Sequence, residues 1–240
     1  MKTEHFFKEL LLPAHRLVAQ NFWRVLKINM GWLGALWLAS YLIPQVLNQL
    51  ESLAPSQGPN IPLILILTCL DLLISFLLYL FLPRRVEEML VNQPASLLKK
   101  MAKDSAVDLV SEQLRVASGI IVGLVMFVMP GILRLLKWTF VPFIVTTDPA
   151  YAAGNIDALQ RSETLTLDIL GRLALLLFAF TIGDFALYYL EQNPWNSETE
   201  AAIWAWQGVV SLISFTLQLY AVLLCFALYK TIKAREGVSP

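Results

Sequence analysis

The chain has 240 residues, of which 57% are hydrophobic and only 15% charged, with a mean hydropathy of +0.62. Soluble globular chains carry roughly 45 to 50% apolar and about 25% charged residues, so this composition excludes a soluble enzyme domain, a disordered tail and a collagen-like fibre. The 18 basic and 18 acidic residues balance, which excludes a generally basic nucleic-acid binder, because such a protein needs a cationic surplus to displace counterions.

The first 27 residues spread charge throughout (Lys2, Glu4, Lys8, Glu9, Arg16, Arg24, Lys27) instead of placing a short apolar core after a basic start. They do not read as a cleavable signal, and the first apolar run is expected to stay in the protein. Phe6, Phe7, Leu10, Leu11, Leu17, Val18, Phe22 and Trp23 lie among the basic residues. That mixture fits an amphipathic helix in the inner membrane interface, with a partner-docking helix as the alternative. His5 and His15 have no matching acidic or thiol ligands, and Cys69 and Cys225 belong to no closely spaced motif, so no metal site and no cofactor are expected.

A spanning helix needs about 20 mostly apolar residues. Ile28 to Leu50, Ile61 to Leu82, Leu173 to Leu190 and Gln207 to Tyr229 meet that test. Pro44 is expected to kink or end the first of them. Gly31, Ala35 and Ala39 repeat a small residue every fourth position, a spacing that lets helix backbones approach. Between the second and third spans, Pro94 to Arg115 reads as a cytoplasmic helix, with Leu97, Leu98, Met101, Val107, Val110 and Leu114 at helical intervals. From Val116 to Thr146 the chain stays largely apolar for 31 residues, interrupted by Pro130, Gly131, Arg134 and Lys137. At the other end of the third span, Ser197 and Glu200 have capping-box spacing and Trp204 and Trp206 suit interfacial anchoring.

Lys and Arg near a span are held on the cytoplasmic side. The N-terminal segment, the stretch from Pro83 to Arg115 and the tail with Lys230, Lys233 and Arg235 are basic, whereas Glu51 to Asn60 and Glu191 to Trp206 carry neither Lys nor Arg. The 31-residue run must then enter the membrane and return, turning at Pro130 and Gly131. This reading places 16 of the 18 basic residues inside and leaves Arg134 and Lys137 within the membrane. The expected fold is an all-α integral membrane protein of six helical segments. Its third and fourth segments form a short-armed hairpin broken at Pro130 and Gly131, and both termini are cytoplasmic. Residues 1–27 form an interfacial segment. Residues 28–230 form the six-segment bundle, with a cytoplasmic helix over 94–115 and an inner-surface helix over 156–170. Residues 231–240 form a tail.

Gly119 and Gly123 form a GxxxG on the first hairpin arm, for which packing within the chain is expected over a dimer face. Asp71 and Asp184 fall near the depth of Arg134 and Lys137, so these four residues are expected to pair as an intramembrane charge network. In the helix Ala158 to Thr166, Leu159, Ser162 and Leu165 are expected to face the bundle and Arg161 the headgroups or solvent.

Pro130 and Gly131, Arg134, the run Val141, Pro142, Phe143, and then Ala158, Leu159, Arg161, Ser162, Leu165 and Thr166 resemble the YciC-like group of bacterial membrane proteins. That broad group includes the membrane domains attached to some glycerophosphodiester phosphodiesterases, the glycerophosphoryl diester phosphodiesterase membrane-domain-like proteins. The match covers roughly Val116 to Arg172, and it departs from the group where Leu167 and Asp168, not glycine, follow the Leu-Thr pair. The resemblance implies a bacterial inner-membrane protein and no established activity.

The chain has no His-Glu-x-x-His, no Gly-x-Ser-x-Gly and no phosphate-cradling glycine loop, so no catalytic residue is assigned and an enzyme is the least supported reading. The favoured function is a non-enzymatic accessory, assembly or interaction subunit that binds membrane lipids or other membrane proteins. A transporter or channel component that moves an ion or lipid headgroup past the intramembrane charges is the alternative.

Overall fold

The computed structural model describes residues 6–53, 78, 82, 83, 86, 95–193 and 199–236. Every regular element among them is helical. A short wide turn of π type, Phe6–Leu11, runs directly into α1, Leu12–Leu53. There follow α2 (Ala95–Met126), α3 (Val128–Lys137), α4 (Val141–Thr147), α5 (Pro149–Ala152), α6 (Ala158–Leu167), α7 (Leu170–Gln192) and α8 (Glu200–Glu236). Among the described residues, four helical stretches are long and apolar enough to cross a membrane: Val107–Met126, Val128–Thr147, Leu170–Glu191 and Ala202–Arg235. The chain is therefore an all-α membrane protein. The predicted span Ile61 to Leu82 lies outside the described residues apart from Leu78 and Leu82.

The residues group into two compact units, one of Met1–Phe22, Tyr79–Ala179 and Tyr220–Pro240, the other of Trp23–Leu78 and Phe180–Leu219. Helix α1 runs unbroken through residue 27, and α8 runs through residue 230 to Glu236. Pro44 fails to end its helix, which continues to Leu53.

In the first unit, Phe6, Leu10, Ala14 and Val18 recur every four residues and are all buried, so this face of the N-terminal helix is packed into protein. Polar and cation–ring contacts fasten the N-terminal segment further. Arg235 pairs with the Glu9 carboxylate at 2.9 Å, Arg172 lies 5.6 Å from the Phe6 ring centroid, and His15 hydrogen-bonds the Tyr220 hydroxyl. Phe140, Phe143, Phe226 and Tyr229 form the aromatic centre, with ring centroids 5.7 to 6.5 Å apart. These tilted and offset rings are the arrangement that the ring quadrupole favours.

Helices α2 and α3 make an antiparallel hairpin, but its break is not where the sequence placed it. Phe127 alone is extended (φ −161°, ψ 142°), and Pro130 and Gly131 sit inside the first turn of α3. A proline is tolerated there because first-turn N–H groups have no intrahelical partner to lose. Gly131 is needed for closeness, not for the turn: a Cβ on it would lie 2.5 Å from Leu124 Cγ, and one on Gly123 would lie 2.9 Å from the Gly131 backbone. A Cβ on Gly119 would strike the Trp138 ring at 2.5 Å. The GxxxG thus seats the hairpin's own second arm. Gly31 has no described neighbour within 4 Å of such a Cβ, and Ala35 beside it is exposed.

In the second unit the Tyr41 hydroxyl donates to the Trp204 carbonyl at 2.7 Å, and the Trp206 indole donates to the Leu190 carbonyl at 2.9 Å. A Cβ at Gly208 would meet the Tyr41 ring and hydroxyl in ordinary van der Waals contact, at 3.5 to 3.8 Å. The start of α8 is capped by Thr199, whose hydroxyl accepts from the Ala202 N–H at 3.4 Å. Ser197 of the expected capping box lies outside the described residues.

Candidate functional site

The polar side chains of the first unit concentrate at the base of the α2–α3 hairpin. Helix α3 stops at Lys137, and a helix end leaves its last carbonyls without partners. The Lys137 carbonyl finds two: the Ser162 hydroxyl donates to it at 2.7 Å, and the Thr166 hydroxyl, which shares its one proton with the Ser162 carbonyl at 2.9 Å, reaches it at 3.1 Å. Ser162 also accepts from the Phe140 N–H at 3.2 Å, so one buried hydroxyl bridges a helix end and the next turn. Thr166 and Ser162 are one helical turn apart on α6, which is why both reach the same corner. Next to them the Trp138 indole donates to the Glu163 carboxylate at 3.0 Å. Helix α6 presents Ala158, Ser162, Leu165 and Thr166 as its buried face, with Leu159 half-buried.

A second cluster forms where α4 ends. Asp148 caps α5 by accepting from the Ala150 N–H at 3.1 Å, receives the Tyr229 hydroxyl at 3.1 Å and pairs with the Lys233 ammonium at 3.0 Å. Asp148 and Tyr229 are buried. Burial alone would raise the Asp148 carboxyl, but the hydrogen bond and charge of Lys233, with the Ala150 and Tyr229 donors, hold it below the usual carboxylate range. Such burial of a charge is tolerable only with this density of partners.

The third cluster ties α6 to α2. Asp157 caps α6 through the N–H groups of Leu159 (2.9 Å) and Gln160 (3.0 Å) and receives Arg115 at 2.6 Å. The Gln160 N–H, followed by Arg115, lowers its carboxyl. Arg115 also faces Glu112 at 3.5 Å. Tyr151 is pushed up to about 12 by burial and by the Glu112 and Asp108 charges. General acid–base work needs a group poised near the operating pH, and both carboxyls and this phenol move away from neutrality. The arrangement therefore holds helices together and keeps its charges fixed.

Of the residues expected to form an intramembrane network, Asp71 lies outside the described residues. Arg134 belongs to the first unit, where it donates to the Gly119 carbonyl at 2.5 Å and stacks 5.9 Å from the Trp138 ring centroid. Lys137 contributes the carbonyl already described. Asp184 belongs to the second unit and accepts from the Ser214 hydroxyl at 3.1 Å. The partners seen for Arg134 and Asp184 are thus local, a backbone carbonyl and a ring for the cation and a hydroxyl for the anion.

Sequence reasoning missed Asp148 and Lys233. The Asp-Pro pair at 148 and 149 was a visible cap signal, but nothing local joins it to Tyr229, 81 positions away, or to Lys233 one turn beyond. No family model, curated protein or solved structure matches the chain.

Proposed function

We propose that the protein is a non-enzymatic accessory or assembly subunit of a bacterial inner membrane, allied to the YciC-like group, that binds lipids or other membrane proteins through its helix surfaces. In this reading both termini are cytoplasmic, because the basic segments flank the spans on one side. The observation that carries the reading is a division of labour among side chains. The buried polar groups Asp148, Ser162 and Thr166 are committed to helix ends and to Lys233. Large apolar side chains such as Phe178, Phe185, Tyr188 and Tyr189 on α7, by contrast, are exposed. An exposed apolar surface of this kind marks contact with lipid or with another membrane protein.

Purification from native membranes in a mild detergent, followed by mass spectrometry of what stays bound, tests it. A lipid class or a membrane protein retained at fixed stoichiometry supports the proposal. A bare protein through successive washes counts against it.

A further inference from the structure

We infer that the α2–α3 hairpin is a one-leaflet wedge: it enters the acyl chains from the side of its polar base and turns near the bilayer midplane without crossing. The inference rests on the chain being embedded in a bilayer. By length and composition alone, Val107–Met126 and Val128–Thr147 are each long enough to span. The ion pairs set a different limit. On the first arm Arg115 is locked to Asp157 and Glu112, and on the second Trp138 is bonded to Glu163 directly after Lys137. Those groups fix where the polar layer meets the hairpin, and a tryptophan with one bonded edge suits that interface.

From Arg115 to the break at Phe127 is twelve residues, or about 18 Å of helix, and from Phe127 to Lys137 is ten, or about 15 Å. The hydrocarbon core is about 30 Å thick, so the tip reaches roughly its middle. The side chains there are those of an acyl environment: Val125 is 81% exposed and Phe127 75%, with Met126, Val128 and Met129 close behind.

Two energies decide between a wedge and a full crossing. Drawing the tip to the far face would pull Arg115, Glu112, Asp157, Glu163 and Lys137 into hydrocarbon, where every charge is costly even when paired. The wedge instead leaves a few backbone groups of one tight turn in lipid, each also costly. That second cost is kept small here. Only Phe127 is irregular, its N–H donates to the Gly123 carbonyl at 3.0 Å, and Pro130 carries no N–H at all. The close glycines at 123 and 131 press the two backbones against each other.

The test uses the full-length protein with Cys69 and Cys225 replaced, spin-labelled at single cysteines and reconstituted in phosphatidylglycerol–phosphatidylethanolamine vesicles. Collision with oxygen and with a water-soluble nickel chelate reports depth. Labels at Val125→Cys and at Phe127→Cys should show an oxygen-to-nickel ratio several-fold above that of Asp108→Cys, which should be aqueous. Two positions are used so that the outcome does not rest on one variant folding, and Val125 is the more exposed. Nickel contact at both tip positions means the hairpin crosses, and shielding from both reagents means that protein covers the tip; either result overturns the wedge. Ile182→Cys on α7 separates the two claims. Lipid contact at 182 with an aqueous tip defeats the wedge alone, whereas an aqueous label at 182 defeats the bilayer reading and the wedge with it.

Discussion

Replacing Ser162 by alanine should be one of the costlier single-atom changes in the protein. Its hydroxyl is fully buried and makes two bonds, donating to the Lys137 carbonyl at 2.7 Å and accepting from the Phe140 N–H at 3.2 Å. The carbonyl keeps Thr166 as a second donor at 3.1 Å, so it is not stranded. The Phe140 N–H is stranded, since Phe140 is itself fully buried, and an unsatisfied buried donor costs about 1 to 3 kcal/mol. Thr166→Val alone removes the other donor and leaves the carbonyl with Ser162. The double variant strips the carbonyl of both, so the two changes should be non-additive by about 0.5 to 3 kcal/mol, as expected for groups sharing a partner. Thr164→Ala on the same helix is the control: its hydroxyl is exposed and bonds back within α6, so it should fall within about 0.5 kcal/mol of the parent. Equilibrium unfolding in mixed micelles, titrated with a denaturing detergent and followed by circular dichroism, measures all four. If Ser162→Ala matches Thr164→Ala, or if the Ser162 and Thr166 effects simply add, the shared corner does not hold α3 to α6.

Gly123→Ala should destabilise by about 1 to 3 kcal/mol, the usual range for overpacking, because its Cβ would meet the Gly131 backbone at 2.9 Å, whereas Gly31→Ala meets no described atom within 4 Å and should be neutral or slightly stabilising; the same unfolding titration compares them. The Asp148 carboxyl is held below its ordinary value, so the stability it provides is fully present above the unfolded carboxylate range and is lost only as pH falls through the lower folded value. An acid titration of parent and Asp148→Asn should show stability curves that run parallel near neutrality and converge at low pH, and a constant gap throughout would contradict the assignment. The charge distribution predicts that a cysteine placed at position 240 is not labelled by an impermeant maleimide added to intact cells; labelling there would reverse the topology.

The helices were largely legible because hydrophobic runs and helical periodicity are local signals, and the composition already required a membrane. The amphipathic start was legible only in part. Phe6, Leu10 and Val18 were seen as apolar positions among charges, but whether such a stripe meets lipid or protein depends on a partner surface that no local pattern names. The hairpin is legible as a reversal from charge parity, yet the sequence points to Pro130 and Gly131 for its break because those residues most often end helices. In the fold Pro130 sits where its missing N–H costs nothing, and Gly131 provides closeness to Gly123. The corner at Ser162 and Thr166 was marked by resemblance and by helical spacing, but its acceptor, the Lys137 carbonyl, is a backbone group with no sequence signature. The same limit hid Asp148 and Lys233, which only the packing of α8 brings together.

In the proposed function the buried and intramembrane polar groups hold the fold and do not form a pathway. Flux through reconstituted vesicles tests it most directly. With the protein at several copies per vesicle, release of entrapped ions and exchange of a labelled headgroup between leaflets should match empty vesicles, and Asp184→Asn and Arg134→Gln should leave both rates unchanged. A protein-dependent flux that either substitution abolishes would contradict the account and make Asp184 and Arg134 parts of a transport path.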